Sequence, residues 1–192
     1  MTLKVVAFNG SPRNKGNTYH ALTVVLEALA AEGIQGEIVQ LGGKNLAGCR
    51  ACFACTRNQD RRCAQDGDEM NDFIAKALEA DGILIGSPVY FSNVSSEVKA
   101  FIDRCGFVAK ANGDMLQGKA GAAVVAARRA GSTFTYAAIN FFFGISQMMI
   151  PCANYWNAGF GLMPGDVLND REGLETFKIL GRNMAKLLKG TR

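Results

Sequence analysis

Short apolar runs closed by turns, alternating with segments of helical spacing, constrain this chain more than any other feature. The runs are "LKVVAFNGSPR", "GEIVQL", "GILIGSPVYF" and "KAGAAVVAARRAG", and a fifth is expected around "IPCANYWNA". They are apolar throughout and rich in β-branched residues, which marks strands buried on both faces. Between them, "NTYHALTVVLEALAAEG", "DGDEMNDFIAKALEADG", "SSEVKAFIDRCGFVAK" and "FTYAAINFFFGISQMM" carry apolar residues at helical spacing. The first closes on a glycine, and the second has acids at its start, where the helix dipole favours them. "EGLETFKILGRNMAKLLKG" is the last helix.

Strands alternating with helices imply an α/β fold with a parallel sheet covered on both faces. Five such units in 192 residues predict a doubly wound three-layer sandwich, with the flavodoxin-like strand order 2-1-3-4-5. No internal repeat or low-complexity linker divides the chain, so residues 1–192 are expected to form a single domain, with a cysteine-rich loop at 48–63. No basic segment precedes an apolar stretch in the manner of a secretory signal. The longest apolar run, "TFTYAAINFFFGISQMMIP", is broken by polar residues and falls short of the roughly 18 apolar residues of a membrane span. The chain is therefore expected to be cytoplasmic, with reduced thiols. Its net charge of +4 is densest at "DRR" and "ARRAG" and forms no basic stripe. Neither nucleic acid nor membrane is expected as a partner, and the excess charge suits anionic ligands.

In open α/β sheets a ligand binds beyond the carboxyl ends of the strands, where the strand order reverses. Here that crevice lies between "GSPRNKGNT", after the first strand, and "GSPVYFSNVSS", after the third. The first loop feeds a helix N-terminus, a natural anion site. Ser11 and Thr18 offer hydroxyls, Asn17 an amide and Arg13 a fork suited to phosphate oxygens. Gly16 allows close backbone approach. The pattern is neither G-x-G-x-x-G nor a Walker A loop. A plain alternative is a turn capped by Asn17 with Arg13 in solvent. In the second loop Pro88 adds stiffness, Tyr90 and Phe91 aromatic surface, and Asn93 a polar contact, a combination that suits a flat, heteroatom-rich ring. The plain alternative has Tyr90 and Phe91 packing under a neighbouring helix or subunit.

Four cysteines, Cys49, Cys52, Cys55 and Cys63, follow the spacing C-x2-C-x2-C-x7-C. Reduced, clustered thiols more often bind metal or do redox work than form disulfides. Zinc prefers two separated C-x2-C knuckles, which this spacing matches poorly. Structural or peripheral redox thiols are the other reading. Arg50, Arg57, Arg61 and Arg62 stand nearby and would offset thiolate charge.

"GSPRNKGNT", the cysteine loop, "DGILIGSPVYFSNVSSEVKAFIDR" and "ARRAG", in that order, resemble the NADPH-dependent FMN reductase family and, within it, the iron–sulfur flavoprotein branch. The resemblance runs from about Lys4 to about Gly131. It implies bound FMN, with Ser11, Arg13, Asn17 and Thr18 on the phosphate and Pro88, Val89, Tyr90, Phe91 and Asn93 along the isoalloxazine. Ala127, Arg128 and Gly131 would approach the ring from its other side, although "AGSTF" departs from the Gly-Gly element common in the family. It also implies a 4Fe–4S cluster on Cys49, Cys52, Cys55 and Cys63.

The implied activity is FMN-dependent oxidoreduction, moving electrons from NAD(P)H or a protein donor to a quinone, a flavin or another acceptor. No side-chain acid or base is indicated. A flavodoxin-like electron carrier with little turnover is the alternative. A homodimer or homotetramer is expected, with the helix containing "FFF" as core or interface. Asp103 and Arg104 are expected as a helix-surface pair or a subunit contact. Cys105 and Cys152 are expected as buried thiols in a helix and a strand, His20 as a packing or surface residue, and Trp156 at an interface or a substrate pocket.

Overall fold

Strand and helix alternate from the start of the chain: β1 (Lys4–Asn9), α1 (Asn17–Ala31), β2 (Gln35–Gln40), α2 (Ala54–Asn58), α3 (Met70–Glu79), β3 (Gly82–Pro88), α4 (Ser96–Ala111), β4 (Ala120–Ala127), α5 (Ser132–Ile145), β5 (Ala158–Phe160) and α6 (Arg171–Gly190). The structure is a computed structural model and describes residues 2–190. All strand pairs are parallel, in the order β2-β1-β3-β4-β5. This is the flavodoxin-like order expected from the sequence.

The continuous apolar runs are explained by two cores. Side chains alternate across a strand, so Val6, Phe8, Ile83 and Ile85 face one core while Val5, Ala7 and Leu84 face the other. The first core is completed by Phe73 and Ile74 of α3, Phe101 of α4 and Phe142 and Phe143 of α5. The second is completed by Leu22, Val25 and Leu29 of α1 and by Phe177, Leu180 and Met184 of α6. Each such buried side chain contributes about 1.5–3 kcal/mol. The small residues of β4, AGAAVVAA, let helices lie close: a Cβ on Gly121 would stand 2.8 Å from the ring of Phe143.

Two expectations need correction. The fifth strand is Ala158–Phe160, later and shorter than "IPCANYWNA" suggested. Pro151 lacks a ladder N–H, Met149 makes only an isolated bridge to Ala120, and Asn157 spends its side-chain amide on the Ala123 carbonyl at 3.0 Å. Cys152 consequently lies outside the strand and is exposed, whereas Cys105 is buried in α4 as expected. In the "FFF" run Phe142 and Phe143 are core, as expected, and Phe141 is exposed.

Candidate functional site

The carboxyl ends of β1 and β3 meet where the strand order reverses, with Asn9 level with Gly86. The two loops leaving them are bonded to each other. Gly10 N–H donates to Gly86 O at 2.8 Å, and the Ser95 hydroxyl donates to Gly10 O at 2.8 Å. Ser95 also accepts from Val98 N–H and caps α4, so one side chain joins that helix to the first loop.

The first loop is supported from beneath. The buried Asn9 amide donates to Gln40 Oε1 at 2.7 Å and accepts from Ser11 N–H at 3.2 Å. Gln40 donates in turn to Ser11 O and Gly42 O at 2.6 and 2.7 Å. Gly42 is required there, because a Cβ would lie 2.2 Å from the Ser11 carbonyl carbon. Ser11 Oγ accepts from Arg13 N–H at 3.2 Å.

α1 opens with Gly16 as its N-cap, no side-chain cap and no acid in its first turn. Its leading N–H groups and partial positive charge are left for an anion. Asn17 is therefore not the cap considered above; its side-chain oxygen accepts from Val167 N–H at 3.2 Å. Ser11 and Thr18 are buried, and Arg13 is exposed, with one guanidinium nitrogen donating to Leu162 O at 3.3 Å. Ser11, Arg13, Asn17 and Thr18 thus share one loop and helix start.

After Pro88 and Val89, the chain makes a two-residue turn. Tyr90 and Asn93 exchange both backbone hydrogen bonds at 2.9 Å, and Phe91 and Ser92 have φ of 48° and 59°. Positive φ at both central residues is the hairpin geometry usually given to Asn-Gly. The Phe91 ring is fully exposed at the tip and Tyr90 is partly exposed, so neither packs under a helix of this chain. Asn93 Oδ1 accepts from Val94 N–H at 2.8 Å.

Gly131, at φ 85°, lies against this turn, and a Cβ there would stand 2.7 Å from Ser92 Oγ and 3.1 Å from Val89. The segment after β4 is thereby brought to the segment after β3, with Ala127 buried and Arg128 exposed. An uncapped helix start beside an exposed aromatic turn fits the phosphate and the ring of FMN. Asn9, Gln40, Gly42, Ser92 and Ser95 went unnoticed in the sequence. They act through neighbours and carry no motif of their own.

Further along α4, at Arg104, Phe107 and Val108, the cysteine loop forms a second site. Cys49, Cys52, Cys55 and Cys63 all line one small pocket, together with Phe53, Gln65, Arg104 and Phe107. Part of the loop is the short α2, which carries Cys55. Cys49 Sγ accepts from Ala51 N–H at 3.5 Å, and Cys63 Sγ from Arg104 Nε at 3.2 Å. The Ala54 N–H beside Cys52 pulls its thiol below the ordinary value, with help from Arg50. Sulfurs facing N–H donors are the surroundings thiolate ligands need. Among the described residues no three Cys, His, Asp or Glu side chains converge as a metal-binding group. The chemistry of the donor set, four thiols around one pocket with N–H donors, is that of a thiolate-held cluster, although the sulfurs are not drawn together.

Arg104 corrects an expectation. It is buried to 1% exposure and pairs with Asp68, while Asp103 pairs with Lys99 on the surface. Its helical spacing points it inward, and the charge is admitted because Asp68 meets it there.

Residues 3–162 match the NADPH-dependent FMN reductase family. The chain is 38% identical to an iron–sulfur flavoprotein of Methanocaldococcus jannaschii, over 97% of this chain and 98% of that one. An iron–sulfur flavoprotein of Archaeoglobus fulgidus is 30% identical, over 99% and 98%. A flavodoxin-type, WrbA-like protein of Agrobacterium tumefaciens shares the fold at a TM-score of 0.69 and 15% identity, with 100% of both chains covered. Among the described residues no helix is long and apolar enough to cross a membrane. By sequence match over most of its length, the chain belongs to the NADPH-dependent FMN reductase family.

Proposed function

We propose that this chain is an FMN-dependent oxidoreductase whose flavin lies across the loops after β1 and β3. The observation that carries this reading is the direct bonding of the two loops, Gly10 to Gly86 and Ser95 to Gly10, beside a helix start without a side-chain cap. Arg13 and the first N–H groups of α1 hold the phosphate, with Ser11 shaping the loop around it. The Tyr90–Asn93 turn, with Pro88 and Val89 behind it, borders the ring, and Ala127, Arg128 and Gly131 close the side next to Ser92. Bound FMN supplies hydride acceptance at N5 from NAD(P)H and onward delivery of electrons to a quinone, a flavin or another acceptor. The chain's part is to orient the ring and limit water around it.

Cys49, Cys52, Cys55 and Cys63 hold a 4Fe–4S cluster in this reading, and the names of the relatives support it. Such a cluster supplies single-electron exchange with a protein donor or acceptor. The whole chain acts as one domain and assembles as a homodimer or homotetramer. In support, Phe107 of α4 and Phe141 and Ile145 of α5 are exposed along one apolar groove.

Anaerobic mixing of the FMN-loaded chain with NADH or NADPH tests the activity. Loss of oxidised flavin absorbance on mixing, restored by adding a quinone, is the expected result. A flavin that neither nucleotide reduces, but that a reduced protein partner does, would replace this reading with that of an electron carrier.

A further inference from the structure

Arg104 sits in mid-α4 with every face of its guanidinium engaged. Nε donates to Cys63 Sγ at 3.2 Å, one terminal nitrogen to Asp68 Oδ2 at 2.5 Å and Ala47 O at 3.1 Å, and the other to Gln65 O at 2.6 Å. Ala47 lies two residues before the first cysteine of the loop and Gln65 two residues after the last. One buried side chain therefore ties both ends of the loop and one of its sulfurs to a helix in the core. Asp68 closes the ring, accepting from Ala47 N–H at 2.9 Å and Met70 N–H at 3.1 Å. Asn71 of α3 holds Cys63 by both main-chain groups, at 2.8 and 2.9 Å.

The loop needs such restraint. Ala51, Phe53, Gln59 and Arg61 all have positive φ, at a cost on the order of 1 kcal/mol each. Of the neighbouring arginines, Arg57 spends a guanidinium nitrogen on the Cys52 carbonyl at 3.0 Å. The buried charge placed on a cysteine sulfur comes from α4, more than 40 residues along the chain.

We propose that Arg104 is the positioning residue of the cysteine site. It fixes Cys63 relative to Cys49, Cys52 and Cys55 and gives its sulfur a permanently charged N–H donor. The proposal rests on the reading of the loop as a cluster site and deepens it. A positive donor on a ligand sulfur favours the more negative, reduced cluster, so Arg104 raises the midpoint potential. Lysine at this position would keep charge but lose the planar fork that spans Ala47, Gln65 and Cys63.

The test compares the full chain with R104K and with R104Q/D68N, which removes both buried charges together and leaves neither alone. Hydrogen exchange is followed in the iron-free proteins. Iron content and EPR-monitored redox titration follow anaerobic loading with ferrous iron and sulfide. Both variants are expected to exchange residues 46–65 at least about tenfold faster, with α1 and α6 protected as before. Loaded R104Q/D68N is expected to show a more negative midpoint potential than the unmodified chain, with R104K between them. Unchanged loop exchange together with an unchanged potential would overturn the proposal.

Failure of the unmodified chain to bind iron would overturn the cluster reading and the claim on its potential. Faster loop exchange in the variants would still support the positioning role, and unchanged exchange would remove that too. If R104Q/D68N loses its helical signal, R104K decides by the same two readouts.

Discussion

Phe91 occupies a left-handed backbone conformation while its ring rests on nothing, a position that contributes strain and no packing. Such strain tends to persist where a function uses it. Glycine at this position should relieve about 1 kcal/mol. F91G is therefore expected to melt at a higher temperature than the unmodified chain while binding FMN more weakly; calorimetry and flavin titration check the two halves. Unchanged affinity would show the ring to be idle.

Glu97, on the first turn of α4, supports the loop region differently. Burial pushes its carboxyl up, but the Gly43 N–H, 2.9 Å away, and other hydrogen bonds outweigh that and hold it below its ordinary value of 4.5. A depressed folded value means stability that is complete above 4.5 and lost as pH falls through the lower, folded value. The stability gap between the unmodified chain and E97Q, measured by urea unfolding, should be constant near neutral pH and close on acidification below that point. A gap that widened with acid would contradict the sign.

Among the elements, β5 depends most on its neighbours. It is three residues long and holds its place through Asp170, whose carboxylate accepts from Phe160 N–H at 2.8 Å and, at the start of α6, from Gly173 N–H at 3.0 Å. D170A should cost about 1–2 kcal/mol, read from denaturant unfolding, and should raise hydrogen exchange at Phe160 before that of β3 or β4. The same dependence hides this strand from the sequence pattern. Its position is fixed by Asp170, by Asn157 and by the absence of a donor at Pro151, not by an apolar run. β1, β3 and β4 were legible because each is buried on both faces and its composition says so. Within α5 the apolar pattern was legible as a helix, but Phe141 could be told from Phe142 and Phe143 only once the helix was set against the sheet.

At the scale of the whole molecule, the order of the strands decides where chemistry can occur. Alternation of strand and helix was readable from residue patterns, and with it the crevice between the loops after β1 and β3. The residues that brace that crevice were not readable. Gln40 and Gly42 act on a loop some 30 positions earlier, and Ser95 reaches Gly10 across 85. The cysteine spacing is plain in the sequence, whereas its buried cation lies in α4, where its charge alone suggests the surface. Local arginines are the counter-charges the sequence suggests, yet only a tertiary contact brings a buried one onto Cys63.

A single crevice serving phosphate at one end and ring at the other is the central claim, and calorimetric titration of the flavin-free chain with FMN and with riboflavin tests it most directly. FMN should bind at one per chain, and riboflavin, which lacks the phosphate held at the start of α1, should bind at least about tenfold more weakly. Equal affinity for the two, or no uptake of FMN, would contradict it.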